Sequence, residues 1–265
     1  MEYLRGYRLL RQDPEWTSKL LVGSVLVLST MCIPIIGQVC LTGWAALTLR
    51  QAVLGRELPL PRLDFDLNYL GKLVGVGFKA FIVRFLWTLP VSFLAGGLAA
   101  CIYFGAIASA IGVADSGGGA SDAAGLTIGL LSCGGFILLM PLIIVLSLPA
   151  QIAGMRAEMT DDMNSGLAFG EVIAMTRLVF RELFVGTLVL SLFGGVLTIL
   201  GMLACYVGMF PAMIVLQVTM TYFHAQVYSA YLAKGGQPLR IASPDIEQQG
   251  QPQAPIAQQQ PPRAF

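Results

Sequence analysis

Apolar positions in this chain fall into three long runs from which charge is missing, and the polar positions crowd into the segments between them. No charged side chain occurs from Leu20 to Leu49 or from Leu183 to Ala233, and no Lys or Arg from Phe85 to Met155. Holding one charge at the centre of a bilayer costs about 2.5 to 3.5 kcal/mol even on the lenient insertion scale, so runs of this length match hydrocarbon rather than water. A single helix needs about 20 residues to cross. Length alone therefore leaves the number of crossings open.

Charge settles it. Every basic residue lies in a flank: Arg5 to Lys19, Arg50 to Arg84, Arg156 to Arg181, and Lys234, Arg240 and Arg263. Short segments rich in Lys and Arg stay cytoplasmic, so each run must cross an even number of times. The simplest fold is an all-α integral membrane bundle of about six transmembrane helices arranged as three hairpins. Its spans fall near residues 17–33, 35–53, 85–111, 125–153, 184–207 and 211–233, with both termini cytoplasmic and the cell membrane as the location. In the middle run the two apolar stretches are separated by Val113 to Gly125, whose charges are Asp115 and Asp122, and a loop with acid and no base belongs outside. Gly208 and Pro211 punctuate the third run as a tight outer turn. Leu20 to Leu49 would be about 45 Å as one helix, long for one crossing and short for two. Two short helices turning at Ile33-Pro34-Ile35-Ile36-Gly37, a re-entrant loop and one tilted helix all fit it.

Each hairpin is preceded by a basic amphipathic segment: Met1 to Arg11, Asp64 to Phe81, and Asn164 to Phe180. In the second, Leu67, Leu70, Leu73, Val74, Phe78 and Phe81 share one face while Asn68, Lys72, Gly75 and Lys79 share the other, which predicts helices lying in the cytoplasmic interface. Small residues recur every four positions at Gly97, Cys101, Gly105 and Ser109, and again at Gly125, Gly129 and Cys133. Such stripes predict close helix packing in lipid. Residues 1–234 form the membrane domain, and 235–265, dominated by Gln and Pro, read as a disordered cytoplasmic tail.

Composition agrees, with 56% apolar and 12% charged residues and a mean hydropathy of +0.74. A net charge of +1 gives no reason to expect nucleic acid as a partner. The lipid bilayer is the expected surroundings, and the cytoplasmic helices or the tail are the expected contacts for a protein partner. Cys32, Cys40, Cys101, Cys133 and Cys205 all sit in the apolar runs without C-x-x-C spacing, as small packing residues. The first run continues for thirty residues without a small-x-small cleavage site, which predicts a retained anchor.

Several strings carry a resemblance. Asp13-Pro-Glu-Trp16 with Lys19-Leu-Leu-Val-Gly23, Ile33-Pro-Ile-Ile-Gly37, Gly55-Arg-Glu-Leu-Pro59, Gly77-Phe-Lys-Ala-Phe81 closing on Leu89-Pro90, Cys205 to Pro211 and Gln226-Val-Tyr228 occur in that order. Together they resemble the domain-of-unknown-function 4013 family over roughly Arg5 to Lys234. The resemblance implies a polytopic membrane architecture in an uncharacterised prokaryotic family and assigns no catalytic residue.

Candidate chemistry is sparse. His224 is the sole histidine and shares a helical face with Gln217, Met220, Thr221 and Tyr228, which predicts an interhelical hydrogen bond more readily than a proton relay. Asp161-Asp162 reads as a solvated helix cap. Asp115 and Asp122 lack calcium-loop spacing, and Gly75-Val-Gly77 is not a phosphate loop. No catalytic, cofactor-binding or metal residue is assigned, and the chain is not expected to be an enzyme. Gln151, Gln217 and His224 are the residues that could line a polar cavity between hairpins. Two functions follow: a non-catalytic membrane module acting as scaffold or partner subunit, and a transporter or lipid-handling permease using that cavity.

Overall fold

The computed structural model describes residues 1–30, 33, 35–115, 121–204 and 206–245, of which 101, 102, 106, 108–115 and 121–140 are described by their backbone alone. These residues form nine α-helices and no strand: α1 (Arg5–Gln12), α2 (Trp16–Ser29), α3 (Ile36–Val53), α4 (Leu67–Asp115), α5 (Ser121–Thr160), α6 (Met163–Leu167), α7 (Phe169–Leu178), α8 (Phe180–Leu203) and α9 (Met209–Ala233). The all-α expectation is met.

Burial divides the molecule into two ends. One is a packed body built on α3, the start of α4, the last turns of α5 and the second half of α9, with Trp44, Leu73, Ile152, Met155 and Phe223 fully enclosed. The other exposes its large apolar side chains, among them Phe93, Tyr103, Leu192, Ile199, Leu203 and Val207. An apolar surface of that kind is a liability in water and an ordinary contact in hydrocarbon. Among the described residues three helical stretches are long and apolar enough to cross a membrane: Leu67–Gly105, Pro141–Thr160 and Phe180–Leu203.

The first member of the three-hairpin scheme has the shortest helix of the expected spans. α2 has 14 residues, about 21 Å of helix, which falls short of a hydrocarbon core about 30 Å thick. The described helix is thus shorter than the expected span 17–33. Its partner α3 is buried along nearly its whole length, from Gly37 to Val53, and so meets protein rather than lipid. α9 has the length to cross, at 25 residues, but buries Thr219, Thr221, His224, Gln226 and Tyr228 against its neighbours.

The amphipathic segments also divide differently. The first and third form helices of their own, as α1 and as α6 with α7, and the chain turns at Val179 (φ −109°, ψ 16°) before α8 begins. The second does not. α4 runs unbroken for 49 residues through the helical part of Asp64 to Phe81 and the expected span, because no turn residue interrupts it before Pro90 and one missing N–H does not end a long helix.

Glycine does bring helices together, but at the packed end. A Cβ at Gly43 would press on the backbone of Leu73, and one at Gly77 would lie 2.5 Å from the Gly43 nitrogen, so α3 and α4 touch backbone to backbone. Gly6 plays the same part where α1 crosses α9 at Thr219. At Gly97, in the expected outer stripe, a Cβ would meet nothing within 4 Å. The side chains of Cys101, Ser109 and Cys133 lie outside the described residues.

The connection from α3 to α4 is held from both sides. Trp44 Nε1 donates to the Pro61 carbonyl (3.1 Å) and Tyr222 Oη to the Glu57 carbonyl (2.7 Å). Tyr222→Phe removes one such bond and is expected to lower stability by about 1 kcal/mol, read as a small drop in unfolding midpoint in detergent. The stretch after α9 is also packed, as a correction to the expected tail boundary at 235. Leu239 N–H donates to Tyr228 Oη (2.9 Å), Ala242 N–H to the Met159 carbonyl (2.8 Å), and Ala242 is buried. Leu239, Ile241 and Ala242 supply the apolar contacts that the Gln/Pro-rich remainder lacks. That remainder, 246–265, lies outside the described residues.

Candidate functional site

A cavity of about 330 Å³ lies between α2, α3 and α9, with Arg84 of α4 at its margin. Val27, Leu41, Ala45, Met213, Leu216 and Met220 give it apolar walls, while Gln38, Arg84, Gln217, Thr221 and His224 supply the polar groups. Gln38 and Met213 are exposed, at the apolar end of the molecule, and His224 and Ala45 are buried. From Met213 to His224 the cavity follows about 16 Å of α9, from exposed residues at the apolar end to the buried His224 among its polar groups.

Two of the three residues expected at a polar cavity meet there, and the third does not. Gln217 Nε2 donates to the Leu41 carbonyl across to α3 (3.1 Å), which fixes it in the wall. Thr221 Oγ1 donates back to the Gln217 carbonyl (2.9 Å). His224 is only 5% exposed, and its Nε2 has no hydrogen-bond partner among the described residues, so the expected interhelical bond is not made by that atom. Gln151 lies elsewhere, its Oε1 accepting from Thr187 Oγ1 (3.2 Å) between α5 and α8. Hydrogen bonds between membrane helices average about 0.6 kcal/mol, so Gln151→Leu is expected to cost less than about 1 kcal/mol in an unfolding titration and to leave the cavity unchanged.

A charged network adjoins the cavity through Arg84, and the sequence marks its basic members only as topology signals. Arg50 is fully buried, donating from Nε to the Glu158 carbonyl (2.7 Å), from Nη1 to the Ser243 carbonyl (3.3 Å) and from Nη2 to Asp161 (3.3 Å). Lys79 Nζ also donates to Asp161 (2.9 Å). Arg84 Nη2 lies 2.7 Å from Glu158 Oε1, a charge contact without the alignment of a hydrogen bond. Arg156 pairs with Glu171 and donates to the Ser165 carbonyl (2.9 Å). Arg50, Lys79 and Arg84 thus share the carboxylates of Asp161 and Glu158, and the Arg156–Glu171 pair stands beside them.

The Asp161-Asp162 pair, expected as a helix cap, divides into two roles. Asp162 accepts from Asn164 N–H (3.0 Å) at the start of α6. Asp161 takes a left-handed backbone (φ 56°), which Asp tolerates better than most residues, and turns its carboxylate to Arg50 and Lys79. The sequence signal for this cluster is the set of charges closing each apolar run, which positional charge rules treat as flanks. Among the described residues no group of three or more His, Cys, Asp or Glu is placed to hold a metal ion.

Comparison with known proteins adds one finding. The model of the family described as "Protein of unknown function (DUF4013)" matches residues 26–206. No curated protein and no solved structure matches the chain.

Proposed function

Because the chain belongs to the DUF4013 family, whose description carries no activity, we propose from its own geometry that it is a non-catalytic integral membrane module, a scaffold or partner subunit. In this reading α4 with α5 and α8 with α9 cross as hairpins, and α2 with α3 dips into the bilayer and returns. Both termini and all basic connectors then share the cytoplasmic side. The observation that supports it is the division of labour between the two ends. One end offers lipid an apolar surface, and at the other Lys19, Arg50 and Arg156 are buried in structural ion pairs rather than presented to a substrate. Exposed Phe65, Leu67 and Phe169 on the connectors provide apolar anchors for a partner.

Cross-linking in native membranes followed by purification is expected to retain one stoichiometric neighbour, and Leu67→Asp with Phe169→Asp to release it. Retention of that neighbour by the double variant would remove the reading. The cavity favours a second one, a lipid-handling permease. There His224→Ala combined with Gln217→Ala abolishes lipid movement in reconstituted vesicles, and unchanged movement rejects it.

A further inference from the structure

The cavity between α2, α3 and α9 has the form of a binding site, and we infer that it holds a single-headed amphiphile with an anionic, phosphate-type head. The head sits against Arg84 and His224 and the chain lies along Leu41, Leu216 and Met213. Two observations converge. His224 Nε2 is buried, lines the cavity and lacks a partner among the described residues, and a buried polar atom left unsatisfied costs about 1 to 3 kcal/mol, so a ligand or water group is called for there. Arg84 has five donors and meets only the Glu158 carboxylate among the described residues, with its side chain about one third exposed.

Shape selects an amphiphile over a free anion. The walls are Val, Leu, Ala and Met, and the mouth at Gln38 and Met213 opens among side chains that face hydrocarbon. The apolar walls suit a ligand that brings its own chain, and Arg84, with its side chain about one third exposed, is where an anionic head would be met. The Arg84 stem packs directly over Gly154, where a side chain would collide with it, and the guanidinium is carried from there to the cavity. The occupancy rests on the membrane reading but not on flux. Binding without lipid movement would reject the permease and keep the ligand.

The test is the unfolding midpoint of the full chain in neutral-detergent micelles doped in turn with phosphatidylglycerol, phosphatidylcholine or inorganic phosphate. Phosphatidylglycerol is expected to raise the midpoint by about 5 °C or more at saturating concentration, and the other two to leave it within about 1 °C. Ala45→Leu, which fills the cavity without touching charge, is expected to abolish the rise. The neutral pair Arg84→Gln with Glu158→Gln is expected to remove the preference for the anionic head. Equal rises with phosphatidylcholine or with phosphate alone overturn the inference, as does a phosphatidylglycerol rise that survives Ala45→Leu. The comparison of additives on the unmodified chain decides the matter even where a variant fails to fold.

Discussion

Asp13→Ala is expected to remove about 3 to 5 kcal/mol of stability, a drop of roughly 10 °C in unfolding midpoint. Asp13 and Lys19 are both essentially buried, at 1% and 2% exposed. Lys19 Nζ donates to both Asp13 carboxylate oxygens (3.0 and 2.9 Å) and to the Leu60 carbonyl (2.9 Å). The same carboxylate accepts from the backbone N–H groups of Glu15 and Leu60, both at 2.8 Å. One side chain thus ties the turn between α1 and α2 to the α3–α4 connection. Removing it leaves the buried ammonium with only the Leu60 carbonyl and the more distant Glu15 carboxylate (3.6 Å), and two N–H groups without that acceptor. A double variant, Asp13→Leu with Lys19→Met, should recover part of the loss, because the under-compensated charge is then gone while the N–H groups stay unpaired. Asp13→Ala within about 1 kcal/mol of the parent would show that the clamp is not structural.

Gly77→Val is expected to be as damaging for a different reason. The Cβ direction at Gly77 points into the α3 backbone at Val39 and Gly43, and backbone cannot swing aside as a side-chain tip does. Overpacking of a well-filled core costs about 1 to 3 kcal/mol when side chains yield, and here the whole helix must shift. Lys79 and Arg84 follow on α4, so the shift also moves them off Asp161 and Glu158. Gly75, on the outer face of the same helix, meets nothing within 4 Å and serves as the control. Gly75→Val should cost only the ordinary helix-propensity and lipid-contact terms. Equal effects at the two positions would show that the α3–α4 contact is looser than described.

Much of this is legible in the order of the residues alone. The charge-free runs name the apolar end, the tight turn near Gly208 and Pro211 falls between α8 and α9, and the strings Asp13-Pro-Glu-Trp16, Lys19 and Gly77 include the clamp and the helix contact just described. Resemblance marks those residues without giving the reason, which is steric at Gly77 and electrostatic at Asp13. Three features are hidden. The shortness of α2 depends on where the helix stops, and hydropathy does not report that. The merging of the second amphipathic segment into α4 turns on the absence of a break, whereas amphipathicity says only which face is apolar. Arg50 is more than a hundred residues from Glu158 and Asp161, so no local spacing can reveal their meeting. His224 and Gln217 stand out because polar groups are scarce in the runs, and Gln151 groups with them for the same reason although α5 and α8 carry it elsewhere.

The central claim is that the apolar end lies in lipid with every basic connector on one side. Single cysteines introduced in a cysteine-free background at Arg62, Asp162, Gly236 and Ser116, then treated with a membrane-impermeant maleimide on intact cells, test it most directly. Labelling at Ser116, in the connection between α4 and α5, with protection at the other three until the cells are opened, is the predicted pattern. Strong labelling of Arg62, Asp162 or Gly236 in intact cells would contradict it.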